Sequence, residues 1–213
     1  MTARWARCRR VARTEGAGAA LRELGITGPG RYAIVPAGPD APAAATDPLL
    51  TAEGLALVRR PDGTPEPDRA SDPEAGDPEA GDPETGARAT ALALAWLRLG
   101  LSERLLDDCL GYLDGRTTGG EPLLGQQLVK GELAEIRMDH LEVAAVLDGA
   151  APGDAHVQDA HRRITTTDRT LLRLLGASGF VHDGPGRTAY ASELLADTLA
   201  AASGPAGGGG RDV

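Results

Sequence analysis

Leu92, Leu99, Leu106 and Leu113 fall seven residues apart, with Trp96 and Leu110 between them on the same helical face. That spacing calls for one long helix with a buried stripe, and a helix of this length needs others to wall it. A break follows over residues 114–122, where Gly115, Gly119, Gly120 and Pro122 end the helix and turn the chain. A second stripe then runs through Val129, Leu133, Ile136, His140, Val143 and Leu147. After a turn at residues 151–154, Val157, Ala160, Ile164, Thr167, Leu171 and Leu174 make a third helix that ends near Gly176. Residues 176–186 form a glycine-rich connection, and Tyr190, Leu194, Leu195 and Leu199 suggest a fourth, shorter helix. The expected fold is mainly α, with residues 88–202 as an antiparallel four-helix bundle.

The N-terminal 60 residues read differently, as a small irregular α/β segment. Residues 1–13 carry Arg4, Arg7, Arg9, Arg10 and Arg13 and are expected to be a solvated, mobile terminus. Residues 19–25 could make two helical turns ending at Gly25, and residues 31–38 and 54–60 read as short strands. Two such strands are not stable unless something covers them. Residues 61–87 include the pentad repeat DPEAG-DPEAG-DPETG. Proline every fifth residue and unpaired acids predict an extended, disordered linker there. Residues 203–213 are expected to be a disordered tail.

Charge and composition exclude several classes. A formal net charge of −9 argues against nucleic acid as a partner. No apolar run approaches the roughly 18 residues that span a bilayer. The basic start MTARWARCRRVAR has no apolar segment after it, so it does not read as a secretory signal, and a cytoplasmic protein is expected. Cys8 and Cys109 lack metal or redox spacing and read as free thiols. His140, on an apolar stripe, is expected to be a core or interface histidine satisfied by a backbone carbonyl. His156 and His161, five apart, do not share a helical face, and no metal site is expected.

The run GLSERLLDDCLGYLDGRTTGGEPLLGQQLVKGELAEI resembles the C-terminal helical domain of the acyl-CoA dehydrogenase family. The matching positions are Gly100, Leu101, Leu106, Asp107, Tyr112, Arg116, Gly120, Leu123, Gln127, Leu133, Ala134 and Glu135. A second segment, LLGASGFVHDGP, is similar to the family's G-G-x-G-(F/Y) segment. The resemblance implies FAD contacts shared across a subunit interface, with none expected for the isolated chain. Arg116, Gly120 and Gln127 would lie on one side of the cofactor, with the Thr118 hydroxyl as an added donor, and Gly176 and Gly179 on the other. Chemically, a guanidinium pairs with pyrophosphate, and glycine lets backbone N–H groups approach it. The N-terminal strands would be remnants of the family's β domain.

The departures from the family pattern concern catalysis. Gly119 stands where the family has Phe, Arg173 where it has Gln, and Ala177 where it has the second Gly. The usual position of the catalytic Glu falls on Ala200, with Glu193 and Asp197 nearby, and an alternative base position falls near Thr90. No catalytic residue is therefore assigned. Two readings follow from the resemblance. In one, the chain is a non-catalytic subunit or scaffold, pairing through its bundle with itself or with a full-length acyl-CoA dehydrogenase. In the other, it is one half of a split FAD-dependent oxidoreductase, active only with a partner chain.

Overall fold

The computed structural model describes residues 3–25, 32–38, 47–59, 83–149 and 152–203. Among the described residues the chain is mainly helical, with seven α-helices and two short strand pairs. The helices are α1 (Ala3–Glu15), α2 (Ala17–Leu24), α3 (Pro48–Ala52), α4 (Pro83–Asp114), α5 (Gln127–Leu147), α6 (Asp154–Leu175) and α7 (Gly186–Ser203). The strands are β1 (Tyr32–Pro36), β2 (Leu55–Arg59), β3 (Thr117–Thr118) and β4 (Glu121–Pro122). None of the described helices is long and apolar enough to cross a membrane.

Helix α4 is the axis of the molecule. Eleven consecutive residues, 93–103, are buried, so for three turns no side of the helix reaches water. Helices α5, α6 and α7 wall one part of it. Their directions alternate: Leu99 shares a cluster with Val143 and Leu147 of α5 and Val157 of α6, whereas Leu113, farther along α4, shares one with Ile136 of α5, Leu175 of α6 and Ala189 of α7. Helices α4 and α6 also touch directly, so the four are not an open square. The remaining flank of α4 is covered by α1 and α2, and Cys8, Ala12 and Leu21 share a core cluster with Leu94, Leu97 and Leu101.

This corrects the expectation of a mobile N-terminus. Arg9 and Arg13 bond to Glu103 and Asp107, each pair separated by 94 positions, so α1 runs beside α4 in the same direction. The arginines read as a solvated run because their carboxylate partners lie far away in sequence. The expected linker boundary shifts as well, because α4 starts at Pro83, inside the last pentad. Proline is tolerated in a helix's first turn, where its missing N–H costs nothing. The rest of the expected linker, residues 61–82, and the expected tail from residue 204 lie outside the described residues.

The short strands were expected to need cover, and they have it. Strands β1 and β2 pair antiparallel from Tyr32↔Arg59 to Pro36↔Leu55, and Ile34 and Leu55 are buried in the cluster that holds Leu21 and Leu195. Helix α2 ends at Gly25, whose φ of 64° is the left-handed cap that glycine adopts freely. Within the helices, most stripe residues are buried or half-buried, but Leu110 and Tyr190 are exposed, and Leu175 rather than Leu174 enters the core of α6.

Gly100 sits where α1 crosses α4, and a Cβ there would collide with the Arg9 carbonyl and the Ala12 methyl. Gly100→Ala is therefore expected to lower the unfolding free energy by about 1–3 kcal/mol through overpacking. Gly111, on the same helix, faces open space. Gly111→Ala is expected to raise the unfolding free energy by about 0.5–1 kcal/mol. Urea denaturation of the two variants should give opposite signs, and equal shifts would refute the crossing.

Candidate functional site

A helix enclosed on all sides can carry polar groups only if each finds a partner. Helix α4 carries Arg98, Ser102 and Glu103 within its buried turns, and the neighbouring helices supply the partners. The Arg98 guanidinium donates from Nε to Ser192 Oγ at 3.1 Å and from Nη2 to Thr165 Oγ1 at 2.7 Å. Its Nη1 reaches both the His161 carbonyl, at 3.2 Å, and His161 Nδ1, at 2.9 Å. His161 Nε2 lies 3.1 Å from the Ala91 carbonyl. A carbonyl only accepts, so Nε2 carries the proton and Nδ1 accepts from Arg98. Burial, reinforced by the Arg98 charge, pushes the His161 pKa down to about 4.

The cluster continues away from Arg98. Ser192 donates to Asp168 Oδ2 at 3.1 Å. Asp168 is buried, and desolvation pushes its carboxyl up to about 6 against the opposing effects of Ser102, Arg98 and Ser192. Ser102 Oγ lies 2.8 Å from His140 Nε2, and burial lowers His140 to about 4. His140 is thus a core histidine, but a hydroxyl, not the expected backbone carbonyl, satisfies it. Its Nδ1 and Asp168 Oδ1 have no hydrogen-bond partner among the described residues. Glu103 accepts two bonds from Arg9 and one from Arg137. Burial alone would raise the Glu103 carboxyl, but Arg9 and Arg137 hold it below the usual range.

The residues implied as cofactor contacts lie elsewhere, at the end of the helices where α4 and α6 stop and α5 and α7 begin. Arg116, Thr118 and Gly120 belong to the β3–β4 hairpin and are exposed. Gly119 and Gly120 form its two-residue turn, with φ of 59° and 85°, which suits a pair of glycines. The Arg116 guanidinium lies 4.5 Å from the Tyr112 ring centroid, and its carbonyl accepts from Leu123 N at 2.8 Å. Gln127 is the exposed first residue of α5. Gly176 caps α6 at a φ of 56°, and Gly179 is buried against Leu172. No hydrogen bond joins the hairpin to the Gly176–Phe180 turn among the described residues.

An open groove of about 820 Å³ runs between α3 and the start of α7, walled by Leu49, Gly179, Phe180, Val181 and Tyr190. A smaller pocket of about 170 Å³ lies between α5 and α6, beside Leu128 and Arg173. Arg116, Thr118, Gly120 and Gln127 line neither, and nor do Arg98, His140 and Asp168. Along the groove, Tyr190 bonds Asp47 and Glu193 accepts from Arg169 at the surface, and Arg187 bonds the buried Glu53. One chain therefore does not gather the six implied residues around a flavin-sized cavity. Thr90 donates to the Gly86 carbonyl, and Glu193 accepts from the exposed Arg169. No protein-family model and no curated protein matches this chain.

The sequence reading missed Arg98, Glu103 and Asp168. For Arg98 and Glu103 the available signal was charge embedded in the apolar run ALALAWLRLGLSERLL, which holds Arg98, Glu103 and Arg104.

The buried histidines set a pH dependence whose sign can be worked out. Folded His140 and His161 stay neutral down to about pH 4, whereas unfolded histidine protonates near 6.5. Between these limits the unfolded chain binds more protons, so stability is lost as pH falls. Asp168 acts in the opposite sense, because its carboxyl takes up a proton near 6 when folded and near 3.8 when unfolded. Two histidines outweigh one aspartate, so unfolding free energy should drop by on the order of 2 kcal/mol from about pH 7 to about pH 5. Asp168→Asn removes the opposing contribution and should make the drop steeper in urea titrations at the two pH values. A shallower drop would contradict the assigned protonation states.

Proposed function

We propose that this chain is a divergent acyl-CoA dehydrogenase-like four-helix bundle that works in the cytoplasm as a non-catalytic subunit or scaffold. It pairs through the bundle with a second copy or with a full-length relative. The family part of this reading is supported by where the motifs fall. The run R-T-T-G-G lies on the turn between the first and second of four alternating helices. GASGF lies on the turn between the third and fourth, at the same end. The scaffold part rests on one observation: α5 leaves Leu128, Met138 and Leu141 exposed. An enzyme needs a free base beside a substrate cavity, and a pairing subunit needs an uncovered apolar face.

The split-flavoenzyme reading draws on a different feature, the exposed Arg116 guanidinium beside the Thr118 hydroxyl and a glycine turn. Absorbance spectra of the chain purified alone, and after co-expression with a full-length acyl-CoA dehydrogenase, separate the two. The scaffold is expected to carry no flavin alone, and Arg116→Ala should change neither flavin content nor assembly of the complex. If Arg116 bonds a pyrophosphate in trans, loss of a charge-assisted hydrogen bond worth about 1.5–3 kcal/mol should weaken flavin retention roughly ten- to hundredfold. Stoichiometric flavin on the isolated chain would overturn the scaffold reading.

A further inference from the structure

Helix α5 has a second stripe, opposite the one it buries. Gly131, Ala134, Met138, Leu141 and Ala145 follow one another at intervals of three and four residues, and all five are exposed. Met138 and Leu141 are 54% and 52% exposed, and Leu128, near the start of the helix, is 85% exposed, so nothing among the described residues overhangs this face. The intervals are those of a coiled-coil seam, with Gly131, Met138 and Ala145 at one core position and Ala134 and Leu141 at the other.

The charges beside the seam are sorted by side. Lys130, the only lysine in the chain, and Arg137 flank it on one edge, and Glu135 and Glu142 on the other. In a parallel pair of helices, each edge residue meets the partner's opposite-edge residue five positions later. Lys130 then meets Glu135 of the second copy, and Arg137 meets Glu142. By symmetry each match occurs twice. An antiparallel pair would instead set the acidic edges against each other. Arg137 and Glu142 already bond Glu103 and Arg163 within the chain, each through one terminal atom, which leaves their other atoms for a neighbour.

We infer that a second copy of this chain docks on α5, with the two α5 helices side by side and parallel. The inference rests on the pairing role proposed above, and adds to it the face, the occupant and the orientation. The small residues at three of five seam positions let the backbones approach closely. The seam from Gly131 to Ala145 is about 21 Å long, and one helix face of that length falls short of the roughly 800 Å² per partner of a standard interface. The dimer is therefore weak, with dissociation in the range of about 10–100 µM.

Sedimentation velocity on the full chain across a micromolar-to-millimolar series tests this. The wild type should self-associate, and Met138→Glu should abolish association while leaving the far-ultraviolet circular dichroism unchanged. Lys130→Glu and Glu135→Lys should each weaken it about tenfold, and the double exchange should restore it to within about threefold. Ala145→Cys gives an independent reading of orientation. In the parallel pair it should form an intermolecular disulfide under mild oxidation, and in an antiparallel pair centred on Met138 it should not. The native thiols do not interfere, since Cys8 and Cys109 are buried and burial pushes them up to about 12 and about 11. Undiminished association of Met138→Glu, or failure of the double exchange to restore it, overturns the inference but leaves the scaffold reading standing. A wild type that stays monomeric at every concentration, and assembles only with a co-expressed full-length relative, overturns the second copy as occupant. Flavin on the isolated chain would instead strike the scaffold reading.

Discussion

Arg98 stands in the stretch of α4 that is buried on every side, and the arrangement of three helices follows from how its guanidinium is satisfied. Its donors reach His161 and Thr165 on α6 and Ser192 on α7. A slip of either helix by one turn would strand a buried charge, at a cost of several kcal/mol. An apolar residue in its place would remove that penalty, so Arg98 specifies register more than it adds stability. The same hydrogen bonds fix the His161 tautomer and lead through Ser192 to Asp168, which ties α4, α6 and α7 into one cluster.

Glu103 plays the matching part on the other flank of α4. It accepts from Arg9 on α1 and Arg137 on α5 at once, so one buried carboxylate spans two elements that do not otherwise need each other. Arg9 also lies 5.9 Å from the Trp96 ring centroid. With Gly100 allowing close contact, α1 becomes a structural wall rather than a basic tail. The first 15 residues and the helices after residue 83 thus share a core, although the sequence between them looks like a boundary.

This arrangement bears directly on function. Side chains that attract a mechanistic reading, two neutral histidines and a high-pKa aspartate among them, lie within the packed helices. What the fold leaves uncommitted is at the surface: the Arg116 hairpin at one end and the outward face of α5.

The sequence by itself determined where α2 and the four long helices α4 to α7 run, and which face α5 and α6 bury. Apolar spacing of three and four reports burial wherever a helix has one wet side, as in α5 and α6. It also placed Gly25, the two strands and the Gly119–Gly120 turn, because local backbone chemistry decides those. It could not show that α4 is enclosed from residue 93 to 103. A stripe such as Leu92–Leu99–Leu106–Leu113 marks one buried side and is silent about what covers the others, and Leu110, though in step with it, proved exposed. It could not place α1 either, because Arg9 and Glu103 are 94 residues apart and only the folded chain brings them together. On α5 it picked out the buried stripe through Ile136, His140 and Val143, but not the outward one through Met138 and Leu141, which only the positions of α4 and α6 leave uncovered.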